Sequence, residues 1–200
     1  MRAEKKCTKI RQEEIAQAAL KVVATQGMKA LTVDRIARLV GVVPSALYRH
    51  FGDKDSILDA VLDLLEERLR LNLAKSVQRS TEPLEVVRHL LHSQIHLMME
   101  FQALPRILFS DQVSSGSPER KARLYRIIQG LLGGLEDMFR EAQANGIIRA
   151  DIPPAALAAM YPGLFQPSIL FWQLSGGEFD MIRQTDHAWR VFADGSSTKD

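Results

Sequence analysis

Residues 32–54 read TVDRIARLVGVVPSALYRHFGDK, and this stretch decides the fold. It parses as two short helices joined at a glycine, followed by the start of a third. Ala37 is small where two helices must cross closely. Gly41 comes four residues later, where the chain turns and a residue without Cβ accepts a positive φ at least cost. Leu47 follows six further on, on the inward side of the second helix. Small residue, glycine and aliphatic at that spacing describe a helix-turn-helix, whose second helix lies in the DNA major groove.

The neighbouring residues agree with this reading. Thr32 is placed to cap the first helix, and Asp34 sits in its first turn, where the helix dipole favours an anion. Val33, Ile36, Ala37 and Val40 share one face. Pro44 suits the first position of the next helix, where its missing N–H goes unneeded. Leu47 and Phe51 face the core. Ser45, Ala46, Tyr48, Arg49 and His50 are left on or near the outward side, offering groups that meet bases or phosphates. Asp53 is placed to cap the following helix, and Lys54 at its start marks a spot that favours a phosphate. The plain alternative is an ordinary helical hairpin.

The stretch resembles the DNA-binding segment of the TetR family of bacterial transcriptional regulators, which closes its recognition helix with Tyr-x-x-Phe and follows it with lysine. Here those residues are Tyr48, Phe51 and Lys54, and the resemblance in motif runs from about Ile15 to Leu62. The resemblance implies that Thr32, Arg35, Pro44, Ser45, Ala46, Tyr48, Arg49, His50 and Lys54 contact DNA. It further implies a homodimer on a near-palindromic operator and a small-molecule effector bound in a helical C-terminal domain. One departure stands out. Val43 occupies a position where the family usually has serine or a similar cap, and valine cannot accept the N–H bonds of the helix start.

Charge is distributed to match. Net charge is +2, yet residues 1–54 hold 11 Lys/Arg against 5 Asp/Glu, while the remainder hold 15 against 19. The basic footprint lies on the segment that carries the motif, as a nucleic-acid binder requires. A hydrophobic share of 46% over 200 residues supports a sizeable core in one or two domains. The single cysteine, Cys7, permits no intramolecular disulfide and suits a reducing, cytoplasmic setting. The start MRAEKKCTK lacks the apolar region of a secretory signal, and no apolar run of membrane-spanning length occurs. The basic residues before Ile15 read either as an arm touching phosphates or as a tail.

The expected class is all-α, with about nine helices and two domains. Residues 1–54 form a three-helix DNA-binding domain containing the helix-turn-helix, and 55–200 a larger helical effector-binding and dimerisation domain. Helices are predicted over 11–26, over the two motif segments, and over 54–80, 84–104, 105–112, 118–145, 151–175 and 179–193. The loop VSSGSP at 113–118 and the tail GSSTKD are the least regular stretches. Pro162, Gly163 and Pro167 predict either a bend or break in the eighth helix near 161–167, or an earlier end and a restart. Ile169, Leu170, Phe171, Trp172 and Leu174 form a dense apolar run suited to core or interface.

No nucleophile elbow, phosphate-binding loop, dinucleotide glycine signature or paired-cysteine metal motif is present, so neither an enzyme nor a cofactor is expected. Gly130, Gly133 and Gly134 lie within a helix and fit close packing or a soft point. A pocket between the later helices would draw on Met98, Phe101, Leu104, Phe109, Ile128, Phe139, Phe165 and Trp172. All are residues any helical core also contains, and an apolar effector would suit them. Glu85, His89, His92, His96 and Glu100 share one helix face. His89, His92 and His96 at that spacing suit a metal-responsive regulator, or else a solvated polar stripe. A third reading is a helical ligand-binding protein whose DNA arm is inactive, with Val43 as its symptom.

Overall fold

A computed structural model describes residues 2–48, 51–114 and 116–198, with side chains described at 12–48, 51–113 and 116–198. These residues form eleven α-helices and no strand. They are α1 (Arg2–Gln26), α2 (Val33–Val40), α3 (Pro44–Tyr48), α4 (Lys54–Arg79), α5 (Pro83–Glu100), α6 (Leu104–Leu108), α7 (Asp111–Ser114), α8 (Pro118–Ala144), α9 (Pro154–Met160), α10 (Gln166–Leu174) and α11 (Met181–Ser196). Tight 3-10 turns fill Met28–Ala30 and Tyr161–Leu164. The all-α expectation holds, and the number of helices rises from about nine to eleven.

The added helices have local causes. Asp111–Ser114 forms a turn of helix where a loop was expected to begin at 113. The chain then folds back so that Gly116 N–H donates to the Asp111 carbonyl. A Cβ on Gly116 would lie 3.1 Å from that oxygen, so the return favours glycine. The predicted eighth helix is broken. Pro162 supplies no N–H, the turn Tyr161–Leu164 tightens, and α10 restarts at Gln166 with Pro167 in its first turn. At the other end of the chain, α1 begins at Arg2 rather than near 11, because Ala3, Glu4, Lys5 and Lys6 are all good helix formers. The C-terminal tail is tied down as far as 198. Ser197 pairs with Ile148 in an isolated antiparallel bridge, and Arg149 N–H donates to the Ser196 carbonyl at 2.8 Å.

The chain divides into two compact units, Met1–Arg68 with Met98–Arg126, and Leu69–Leu97 with Ile127–Asp200. In the first, the core is built from Ile15, Ala19 and Val23 of α1, Ile36 and Ala37 of α2, Leu47 of α3, and Ile57, Leu58, Val61 and Leu62 of α4. α1 packs on α2, α2 on α3, and α6 on α1. Arg120, 6% exposed, adds a polar knot to this unit. It donates to Asp59 Oδ1 at 3.0 Å, to the Gln112 carbonyl at 3.1 Å and to the Asp55 carbonyl at 3.3 Å. One turn on, Arg123 pairs with Asp63 and with Glu66 Oε2 at 3.4 Å. Burial pulls the Arg123 guanidinium down, and the bond and charge of Asp63, with Glu66 behind it, outweigh that and raise it.

The second unit has its own core. Val87, Leu90, Leu91 and Ile95 of α5, Leu135 and Phe139 of α8, and Tyr161 are buried. Phe192 lies 5.8 Å from both Phe139 and Trp189, ring centre to ring centre. Leu73 reaches the face of α8 at Gly134, where a Cβ would sit 3.5 Å from its side chain, an ordinary van der Waals contact. Among the described residues no helix is long and apolar enough to cross a membrane.

Candidate nucleic-acid interface

The interface is assembled by local bonds that the residue types dictate. Thr32 is extended at the start of α2, and its hydroxyl accepts the Arg35 N–H at 3.3 Å. α2 ends at Gly41, whose φ of 77° is left-handed, and Val42 N–H then donates to the Ala37 carbonyl at 2.9 Å. This six-to-one bond is the Schellman closure, and a side chain at 41 would strain it. The chain is thereby turned so that α3 starts three residues later.

α3 carries the reading surface. Leu47 is 3% exposed and Phe51, just beyond the helix, 5% exposed. Phe51 N–H donates to the Leu47 carbonyl at 2.7 Å, which fixes the exit of the helix. With those two anchored, Pro44, Ser45 and Tyr48 are exposed and Ala46 is half-buried. Arg49 and His50 lie outside the described residues. Arg35 is exposed and its guanidinium donates to the Gln26 side chain, joining α2 to the end of α1. Arg38 and Lys29, which the sequence reading did not single out, are exposed on α2 and the preceding turn. The only sequence signal for them is their charge.

Val43 behaves as a cap through its backbone alone. Its carbonyl accepts Ala46 N–H at 3.0 Å, while its side chain is 64% exposed and offers nothing to the helix start. Val43→Ser is therefore expected to stabilise the protein by about 1 kcal/mol, since a hydroxyl is gained and no buried contact is lost. A thermal melt checks this, and an unchanged or lowered midpoint would remove the capping argument.

The start of α4 is already served. Ser56 N–H donates to Asp53 Oδ1 at 2.8 Å, and Ser56 Oγ accepts the Asp53 N–H at 3.4 Å, a reciprocal capping box. The spacing Asp-x-x-Ser was legible, although only Asp53 was read from it. The backbone bond from Ser56, followed by its side chain, holds the Asp53 carboxyl below its usual range. An anion thus occupies the helix start offered to a phosphate. Lys54 reaches away, its ammonium donating to the Met28 carbonyl at 3.3 Å and tying the 3-10 turn to α4. Two of its three donors remain for another acceptor.

The other candidate residues are divided between the units. Met98, Phe101, Leu104 and Phe109 belong to the first, and Ile128, Phe139, Phe165 and Trp172 to the second. Met98, Phe101, Leu104, Phe139 and Phe165 are buried, whereas Ile128 and Trp172 are half-buried. Phe109 is 72% exposed, because α6 ends at Leu108 and the inward positions are taken by Ile107 and Leu108. On α5, His92 Nε2 lies 3.0 Å from Asp186 Oδ1 of α11. His89 and His96 are two turns apart, about 10 Å along the axis. Among the described residues no three His, Cys, Asp or Glu gather as metal ligands would.

Residues 15–61 match the model of the family described as bacterial regulatory proteins, tetR family. The nucleoid occlusion factor SlmA of Vibrio campbellii is 23% identical over 184 residues, spanning 92% of this chain and 94% of that protein. A solved structure from Clostridium perfringens, assigned to the regulation of fatty acid metabolism, is 27% identical with a TM-score of 0.75, covering 93% of this chain and all of that one. The fatty acid degradation regulator FadR of Bacillus halodurans superposes with a TM-score of 0.78 at 17% identity, over 92% of this chain and 94% of that one, a likeness of fold.

Proposed function

We propose that this chain, which belongs through residues 15–61 to the tetR family of bacterial regulatory proteins, is a ligand-released transcriptional repressor acting as a homodimer in the cytoplasm. The observation that carries the reading is the α3 surface, where Pro44, Ser45 and Tyr48 face outward while Leu47 and Phe51 lock the helix from below. Residues 1–54 serve as the DNA-binding domain and 55–200 as the effector and dimerisation domain. Each subunit inserts α3 into a major groove, and the pair reads half-sites about one helical turn apart or a little more. Dimerisation would cover the side chains of Leu170, Phe171, Leu174, Ile182 and Val191, which are exposed in the single chain.

Within the interface, Ser45, Ala46 and Arg49 address base edges, and Thr32, Arg35, Tyr48, His50 and Lys54 address the backbone. Pro44 sets the helix start. Arg49→Ala is then expected to relax sequence preference, costing about 1–3 kcal/mol on the operator and little on random DNA. Lys54→Ala weakens both duplexes alike and lowers the salt slope by about 1. If the two variants affected operator and random DNA identically, this division of labour would fall.

The effector acts only through a difference in affinity for the DNA-bound and released states. A largely apolar effector agrees with the residues expected around it, and the assignment of the Clostridium perfringens relative to fatty acid metabolism supports it. The test is fluorescence anisotropy of the purified protein on its own upstream intergenic DNA against a shuffled duplex, across a salt series. Specific binding by a dimer supports the reading. Equal binding to both would count against an operator there.

A further inference from the structure

Among the described residues, every buried side-chain N or O without a hydrogen-bond partner belongs to the second unit: Gln94 Nε2, Tyr161 OH, Gln173 Nε2 and Thr185 Oγ1. Gln94, Tyr161 and Thr185 are 2%, 0% and 2% exposed. An unpaired buried polar group is unfavourable, and a chain that keeps several in one unit has a use for them. The contrast with neighbouring hydroxyls is informative. Ser76 and Ser196 are equally buried and each donates to the carbonyl one turn back, at 2.8 Å. Thr185, also within a helix, forgoes that easy bond.

Three of these groups come from elements that meet. Tyr161 lies in the 3-10 turn, Gln173 in α10 and Thr185 in α11, and the three segments pack on one another. α5 reaches α11 through His92 and Asp186, and Gln94, two residues from His92, lies on the opposite face of α5. Phe165 sits edge-on to Tyr161 with ring centres 5.7 Å apart, so apolar surface adjoins the phenol.

We infer that the effector is a neutral molecule with an apolar body and at least one hydrogen-bonding oxygen, a ketone, ester or alcohol, received by Tyr161 and Thr185. This rests on the reading of the chain as ligand-responsive and narrows its effector class. The offered groups are hydroxyls, and no charged side chain is buried among the described residues of this unit. A carboxylate or ammonium there would lose its water without gaining a counter-ion. Burial also pushes the Tyr161 phenol well above its ordinary value, so it remains an O–H donor at physiological pH.

The test uses the full chain, its variants Tyr161→Phe and Thr185→Val, and two probes of equal length, 2-decanone and decanoate. Without ligand, both variants are expected to melt at or above the parent temperature, since no bond is lost and a stranded polar group is removed. 2-Decanone should raise the parent midpoint and decanoate should not, and each variant should bind the ketone about fivefold more weakly. The inference is overturned if either variant melts lower without ligand, which means the group is paired in the folded chain. It is equally overturned if decanoate stabilises as well as the ketone, if the ketone leaves the parent unmoved, or if the variants bind it undiminished. Operator anisotropy separates this from the broader reading. Ketone binding that leaves the operator bound would sink ligand release and keep the site. Release by decanoate, equal in parent and variants, would keep ligand release and sink the site.

Discussion

Leu47→Ala is expected to abolish specific operator binding and to lower stability by about 2–4 kcal/mol, a fall of about 5–10 °C in the thermal midpoint for a chain of this size. α3 has only five residues, far too few to hold a helix by its own backbone bonds. It exists because Leu47, 3% exposed, is seated in the first unit's core and because its carbonyl receives the Phe51 N–H. Truncation removes the anchor and leaves a void beneath the reading surface. The outward residues are untouched, so loss of binding would report their positioning rather than their chemistry. Calorimetry and anisotropy on the same sample check both halves. An unchanged midpoint with full operator affinity would mean that α3 is not held this way or does not read the DNA.

The second large effect is expected at Arg120. Its guanidinium is buried while the side chains of Asp55 and Asp59 are 66% and 48% exposed. Arg120→Ala therefore leaves two carboxylates that water can serve, which keeps the loss below that of a fully buried pair. It also strips donors from the carbonyls of Gln112 and Asp55 and removes the packed stem. The sum is expected to be about 2–3 kcal/mol, read from urea unfolding. Arg120→Lys should recover less than half of it, because one ammonium cannot replace a planar fork reaching three directions. Hydrogen exchange should rise first at the start of α8 and in α7. A loss under about 0.5 kcal/mol would show that solvent already shares these bonds.

What could be read without coordinates follows the range of the forces involved. The capping of α2 by Thr32, the left-handed Gly41, Pro44 at the start of α3 and the Asp53–Ser56 box each close within three to five residues. Their geometry is local and residue-specific, so the helix-turn-helix was legible. The break at Tyr161–Leu164 was half legible. Pro162 forbids an ordinary helical bond there, but whether the chain bends, stops or tightens depends on what its neighbours accept.

The remainder was decided by tertiary structure. Arg120 meets Asp59 and Asp55 across 61 and 65 residues, and no periodicity announces a partner that far away. Lys54 was read as a phosphate ligand, and only the fold brings its ammonium to the Met28 carbonyl. Phe109 looked like core and is exposed, because α6 ends one residue before it. The three histidines of α5 share a face in sequence, yet the fold gives His92 a carboxylate from α11. Nothing in the sequence sets Gln94, Tyr161 and Thr185 apart, and their lack of partners emerges only once the surrounding elements have closed on them. Sequence by itself determined the caps, the turn and the helical class, because backbone bonding and φ preferences act over one turn of chain. Tertiary structure alone decided which polar groups are paired, because burial and partnership depend on chain segments that composition cannot bring together.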